Sequence, residues 1–408
     1  MSRHAGRSEA TVLLPRLEHL FQTLSAADVD WSLLRHRDTL GLPEGDIDVL
    51  VDPSNLRRVA EILADEGFAA VPAPPPDLHA VDYDRPSGRF LWVHVQSVLS
   101  LAGATVPAAA VLSEATGRPP QPASPWLLWI LLLHGIVDKG AIAPRHRPHV
   151  MSLAQQALPP PPALEAIALE NGLVPSRVLP LAARGDWLAL ERPLAPPAPP
   201  SGRSRLAAAV RRVRPGRSAP GFSLAVIGPD GAGKTTLVEA LHNRLPFPTT
   251  LRYMGLTGGQ IPKADSLRVP GLVLSARLVV LWARYLRALS DRRLGRIVLF
   301  DRYTLDGSVP SGVPLRPLAK LSRRVQRHAC PTPDLVLLLD ASGATMHSRK
   351  GEYDAATLER WRTAYARLAE VEPKLEIIDA EQPADAVRRQ AEAAIWRRYR
   401  PRLEAGTR

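Results

Sequence analysis

Short apolar runs and helical stripes alternate along the chain, and their spacing predicts its elements before any chemistry is considered. Residues 29–34 and 47–51 are short segments rich in Val, Ile, Leu and Trp, broken only by Asp30, Ser32 and Asp48, and they look like two strands. Over 54–67 the pattern becomes helical: Leu56, Val59, Ala60 and Leu63 share one face, Ser54 stands as N-cap and Gly67 as stop. A further strand is predicted at 90–95. Residues 126–157 then turn helical and strongly apolar, as in a buried helical subdomain. Together these elements predict an α+β domain over residues 10–190.

From residue 222 onward the chain alternates strand and helix. Strands are predicted at 222–227, 250–253, 297–300, 335–339 and 375–378, with helical patterns between them and a last helix over 384–400. Such alternation requires crossover connections and predicts a parallel sheet with helices on both faces. The fold class expected for 222–408 is therefore α/β.

Between the two lies a segment of different composition. Residues 191–221 carry seven prolines, seven arginines and a single acid, Glu191. Proline-rich chain of like charge stays extended and cannot bury a core, so this segment reads as a linker. Within it, 205–214 has the pattern of a short basic helix, with Leu206 and Val210 on one side. That apolar face is too small for stable membrane anchoring.

Composition narrows the class. The chain has 408 residues, 45% apolar and 23% charged, which suits more than one globular domain and argues against overall disorder. Cys330 is the single cysteine, which excludes a disulfide scaffold and a cysteine-based zinc cluster. The apolar stretch 126–137 is too short to span a bilayer and contains His134, while 269–286 is interrupted by Arg277 and Arg284. The first ten residues lack the apolar core of a signal peptide. A soluble, cytoplasmic protein is expected. The net charge of +12 comes almost entirely from arginine, since only six lysines are present. Contact of the basic linker with nucleic acid or an acidic membrane stays open beside an arginine-rich solvated surface, and no RNA-binding or zinc-finger spacing supports it.

Candidate chemistry begins at Gly228-Pro229-Asp230-Gly231-Ala232-Gly233-Lys234-Thr235, which fits the eight positions of a Walker A loop. An apolar strand precedes it and a helix follows it. The glycines let backbone N–H groups turn inward around a polyphosphate, and the helix N-terminus adds a favourable dipole. In such a loop Lys234 reaches the β- and γ-phosphates and the Thr235 hydroxyl ligates Mg2+. The later strand 297–300 runs into Asp301, where a Walker B carboxylate sits.

At these residues the chain resembles thymidylate kinase and its relatives among the P-loop nucleoside-monophosphate kinases. The resemblance rests on GPDGAGKTT (228–236), the triplet Asp301-Arg302-Tyr303, PDLVLLLD (333–340), RKGEYD with the following LERWRTAYARLAE, and the closing IIDAEQPADAVRRQ. It implies ATP and Mg2+ as cofactors, with residues 228 and 230–236, Thr236 included, around the nucleotide. It implies that Asp230 contacts a sugar hydroxyl of the acceptor, that Asp301 organises Mg2+ and the acceptor phosphate, and that Arg302 holds that phosphate. Arg349 and Lys350 fall in the lid that closes over the donor phosphates. The pattern departs after the second strand, where the family carries Arg-Glu-Pro-Gly-Gly-Thr. Here the chain reads Leu251-Arg252-Tyr253-Met254-Gly255-Leu256-Thr257-Gly258-Gly259, so the acceptor pocket is rewritten and thymidylate itself is not implied.

In the first domain, Asp46 and Asp48 flank Ile47 and share one face of a strand, a placement that lets two carboxylates hold Mg2+. The segment is similar to the metal-binding strand of the nucleotidyltransferase fold. The usual upstream Gly-Ser pair is replaced by Leu34-Arg35-His36-Arg37, and His94 and Gln96 stand where a third acid is expected. Three readings follow. The leading one is an ATP- and Mg2+-dependent phosphotransferase acting on a small phosphorylated acceptor, a nucleoside monophosphate first, behind a degenerate nucleotidyltransferase-like domain. The others are a bifunctional kinase and nucleotidyltransferase, and a nucleotide-binding regulator or scaffold with a polyanion-contacting linker. A homodimer stays open.

Overall fold

The computed structural model of the chain describes residues 14–34, 46–73, 77–192, 219–255, 270–308, 321 and 324–407. They fall into two compact units, Met1–Gly216 and Arg217–Arg408. Most of the expected linker, its basic helix at 205–214, Arg35 to Arg37 and the glycines at 258 and 259 lie outside the described residues.

The first unit opens with helix α1 (Pro15–Ala26), then β1 (Trp31–Leu33), β2 (Ile47–Val51), α2 (Leu56–Asp65), β3 (Ala69–Val71), β4 (Leu78–Asp84) and β5 (Arg89–Gln96). The strands make one mixed sheet in the order β1-β2-β5-β4-β3, in which the β2–β5 pairing is parallel and the others antiparallel. Alternation of side chains decides its two faces. Ile47, Val49 and Val51 share a core with Leu17, Leu20, Phe21 and Leu24 of α1 and with Val59, Ile62 and Leu63 of α2. Asp48 and Leu50 take the opposite face, and Leu50 joins the core of a helical layer.

That layer follows a hairpin, β6 (Val98–Leu101) and β7 (Ala104–Pro107). Its two-residue turn holds Ala102 and Gly103 at φ 51° and 79°, the hand that suits twisted strands. The helices are α3 (Ala108–Leu112), α4 (Ser124–Leu132), α5 (Arg147–Ala154), α6 (Pro162–Glu170), α7 (Pro175–Arg184) and α8 (Trp187–Leu190). The α4 helix buries Trp126, Leu127, Leu128, Trp129, Ile130 and Leu132, as a helix enclosed on all sides must.

The expected helical stretch 126–157 is not continuous. After α4 the backbone widens into a π-turn over Leu133–Asp138, and Gly135 lets it close against Ile142, which a Cβ would strike. The helix expected at 54–67 starts later, because Asp52 rather than Ser54 does the capping. Its carboxylate accepts from the Ser54 N–H at 2.9 Å and opens a 3-10 turn over Pro53–Asn55. Strand β4 and the β6–β7 hairpin went unpredicted, since polar residues interrupt their apolar runs.

The second unit carries β8 (Phe222–Ile227), α9 (Lys234–Arg244), β9 (Thr249–Tyr253), α10 (Pro270–Arg293), β10 (Ile297–Asp301), β11 (Leu335–Asp340), α11 (Gly343–Lys350), α12 (Ala355–Val371), β12 (Leu375–Asp379) and α13 (Ala384–Thr407). All four strand pairings are parallel, in the order β12-β11-β8-β10-β9. This is a mixed α/β unit with a five-stranded parallel sheet flanked by helices. Every residue of β8 is buried, as a central strand covered on both faces requires. Chain order reverses at β8, which has β10 on one side and β11 on the other. The crevice outside their carboxyl ends is where an open α/β sheet receives a ligand. The last helix continues past the expected residue 400, through Pro401.

Among the described residues, no helix is long and apolar enough to cross a membrane.

Candidate functional site

The loop between β8 and α9 sits in that crevice. Gly231 has φ 87°, and a Cβ there would run into the Met346 carbonyl of α11, so the loop's path needs glycine. Lys234 begins α9 and is buried. Its ammonium donates to the carbonyls of Gly228 at 2.9 Å and Pro229 at 2.7 Å, and lies 3.4 Å from Asp230 Oδ1. Burial pulls its pKa below the usual lysine range, and the neighbouring Arg302 adds to this.

Asp301 closes β10, which pairs with β8 in register. The Thr235 hydroxyl donates to Asp301 Oδ2 at 2.9 Å. The other oxygen, Oδ1, is buried and has no hydrogen-bond partner among the described residues. A hydroxyl and a half-used carboxylate side by side are hard oxygen ligands of the kind Mg2+ takes.

Arg302 adopts φ 65°, a left-handed conformation that is uncommon outside glycine. Its N–H donates to the Val226 carbonyl at 3.2 Å, and its guanidinium pairs with Asp230 Oδ1. Burial works against the Asp230 charge, but Lys234 and Arg302 outweigh it and hold the carboxyl below its ordinary range. Thus Asp230, Lys234, Thr235, Asp301 and Arg302 are brought together. Thr236 lies exposed on the first turn of α9, and Ala232 is buried in the loop.

The two residues expected in a lid, Arg349 and Lys350, part company. Lys350 forms an ion pair with Glu352 at 3.1 Å and still lowers the pKa of Asp230. Arg349 donates to the Ala380 carbonyl at 3.0 Å, beyond β12. Arg252 is held by Asp291, with its Nε at 3.1 Å and Nη2 at 2.6 Å. Tyr253 lies beneath Arg284, whose guanidinium is 5.8 Å from the ring centroid.

Sequence reasoning missed Asp306. It is half-buried near Arg302 and accepts from the Tyr365 hydroxyl at 2.7 Å and the Tyr303 N–H at 3.1 Å. Burial raises its pKa, against the pull of Tyr365 and Lys234. Tyr365 was legible only as a core position, spaced with Leu358 and Leu368 on the buried side of α12. Nothing in the local sequence marks Asp306, because only the fold carries α12 over the β10 loop.

In the first unit, Asp48 of β2 stands beside His94 of β5, and His94 beside His79 of β4. Asp48 Oδ1 is 3.1 Å from His94 Nδ1. Asp46 is exposed, just ahead of β2. The described side chains spaced to hold a metal ion are Asp77, His79 and His94, a set that contains neither Asp46 nor Asp48.

No protein-family model matches this chain, and no curated protein matches it either.

Proposed function

We propose that the second unit is an ATP- and Mg2+-dependent phosphotransferase of the thymidylate kinase kind, acting on a small phosphorylated acceptor such as a nucleoside monophosphate. The observation that carries this reading is the meeting of the Thr235 hydroxyl with Asp301 beside the buried Lys234, at the carboxyl ends of neighbouring strands. Strand, loop, lysine, hydroxyl and carboxylate are the parts that phosphoryl transfer by a P-loop requires.

Each side chain has a role consistent with its position. Lys234 exchanges the Gly228 and Pro229 carbonyls for donor phosphate oxygens. Thr235 and Asp301 hold Mg2+, which when bound neutralises negative charge on the phosphates. Arg302, aimed across the crevice by its left-handed backbone, holds the acceptor phosphate, and Asp230 accepts from an acceptor hydroxyl once that arginine turns to its ligand. Asp306, close to both Lys234 and Arg302, helps keep the two cations oriented. Lys350 screens the donor phosphates from the α11 side. The first unit is read with this one as a nucleotidyltransferase-like fold whose second acid is engaged by His94.

The test is ADP release from ATP and Mg2+ against a panel of nucleoside monophosphates, nucleosides and sugar phosphates. Release that depends on a phosphorylated acceptor supports the reading. ATP binding with no acceptor-dependent release across the panel favours the nucleotide-binding regulator instead.

A further inference from the structure

The first unit contains a cavity of about 570 Å³, lined by Asp48 and His94 from the sheet, by the β6 strand, and by the segment from α4 to Arg145. Asp77, just before β4, lines it too. Register puts Asp48, His94 and His79 in one row across three neighbouring strands. One ligating atom from each of Asp77, His79 and His94 lies within 4.8 Å of the others.

The two nitrogens of His94 are in different circumstances. Nδ1 faces Asp48 Oδ1 at 3.1 Å, with Gln96 Nε2 farther off at 3.3 Å. Nε2 is buried without a hydrogen-bond partner among the described residues, with Asp77 Oδ2 at 3.6 Å. A carboxylate that accepts from Nδ1–H leaves the lone pair on Nε2, which is how proteins orient a metal-binding histidine. A set of two imidazoles and one carboxylate suits zinc and similar transition ions better than Mg2+.

His79 needs a rearrangement to join. Its Nδ1 accepts from the Trp92 indole N–H at 2.9 Å, which places its own proton on Nε2. Its ring also stacks on His94, 4.2 Å between centroids and 10° between planes. Coordination therefore competes with the Trp92 bond and requires the two rings to tilt together.

We propose that Asp77, His79 and His94 bind one divalent transition-metal ion, zinc in the first instance, with Asp48 as the positioning residue that holds His94. The open coordination positions face the cavity. Lys139 and Arg145 line the same space; Arg145 donates from Nε to His146 Nε2 at 3.2 Å, and neither cation is paired with an acid among the described residues, so the metal-bound ligand is an oxyanion. This site stands independently of the kinase reading.

The test uses nucleotide-free full-length protein, dialysed against zinc for elemental analysis and titrated with cobalt(II) for its visible absorption. About one equivalent of metal is expected. His94→Gln and Asp77→Asn should lose it, each checked by circular dichroism and a thermal melt so that misfolding is seen. Asp48→Asn should weaken binding about ten- to hundredfold. Asp46→Asn should retain it, and Trp92→Phe should tighten it by releasing His79. Adding inorganic phosphate should shift the cobalt spectrum, and Lys139→Ala with Arg145→Ala should abolish that shift. No stoichiometric binding, or binding that survives His94→Gln in folded protein, overturns the metal site. Loss in Asp46→Asn alone would move it to the other acid pair. Weaker binding in Trp92→Phe removes His79 from the ligands, and an unshifted spectrum removes the oxyanion.

Discussion

The Thr235 hydroxyl donates to Asp301 Oδ2 across 2.9 Å, although 66 positions separate the two residues in the chain. The contact exists because β10 pairs with β8 in parallel register, so both strands deliver their following residues to one edge of the sheet. It leaves Asp301 Oδ1 buried and unpartnered among the described residues. A buried carboxylate oxygen with no donor is a hard ligand that could take a cation.

Lys234→Ala should abolish or sharply weaken ATP turnover while the fold survives. The ammonium is the buried cation of the loop and, among the described residues, bonds only to the loop carbonyls and Asp230. Loss of such a preorganised donor costs roughly a hundredfold or more in rate. Isothermal titration with ATP and an ADP-release assay check it. Unchanged affinity together with unchanged turnover would refute the assignment of the loop.

Arg302→Lys should lower kcat/KM for the acceptor about ten- to hundredfold while ATP affinity stays close to that of the parent. Lysine meets the same left-handed backbone cost as arginine at φ 65°, so stability should change little from that source. What is lost is the planar fork on phosphate. A mutant that loses ATP affinity and keeps its acceptor kinetics would place Arg302 on the donor side.

Tyr365→Phe should destabilise the second unit by about 1–3 kcal/mol, because it deprives the half-buried Asp306 carboxyl of a hydroxyl donor. Urea denaturation monitored by circular dichroism reads this directly. A variant as stable as the parent would mean that water replaces the lost hydroxyl.

The pH dependence of Asp230 has a defined sign. Burial alone would raise its pKa, but Lys234 and Arg302 bring it below the unfolded value, which is about 4. Its contribution to stability is therefore complete above that value and is lost as pH falls through the lowered folded pKa. The stability difference between the parent and Asp230→Asn should hold steady from neutral pH to about pH 5 and shrink below about pH 4. Denaturation curves at a series of acidic pH values measure it, and a difference that persists unchanged to the lowest pH would contradict it.

The sequence by itself determined the repeating framework. Continuous apolar runs such as 335–339 mark strands buried on both faces. Their alternation with helices dictates parallel pairing, because each crossover returns the chain to the same end of the sheet. The glycine loop and Lys234 were legible for the same reason, since a local backbone need produces a local residue pattern. Strand β4 was not legible, because Asp82 and His79 break its apolar alternation and only its neighbours in the sheet make it a strand. Helix α2 was displaced at its start by a cap that depends on the geometry of Asp52 rather than on residue type alone.

Tertiary structure alone decided which distant groups meet. It set Asp306 under Tyr365, tied Arg252 to Asp291 and turned Arg349 toward the Ala380 carbonyl. In the first unit, strand register placed His94 between Asp48 and Asp77, and so moved the metal-capable set away from the acid pair that spacing had singled out. Spacing along one strand reports which side chains share a face. Which strand lies alongside, and in what register, follows from the packing of the whole sheet, and that is what brings the groups of both candidate sites together.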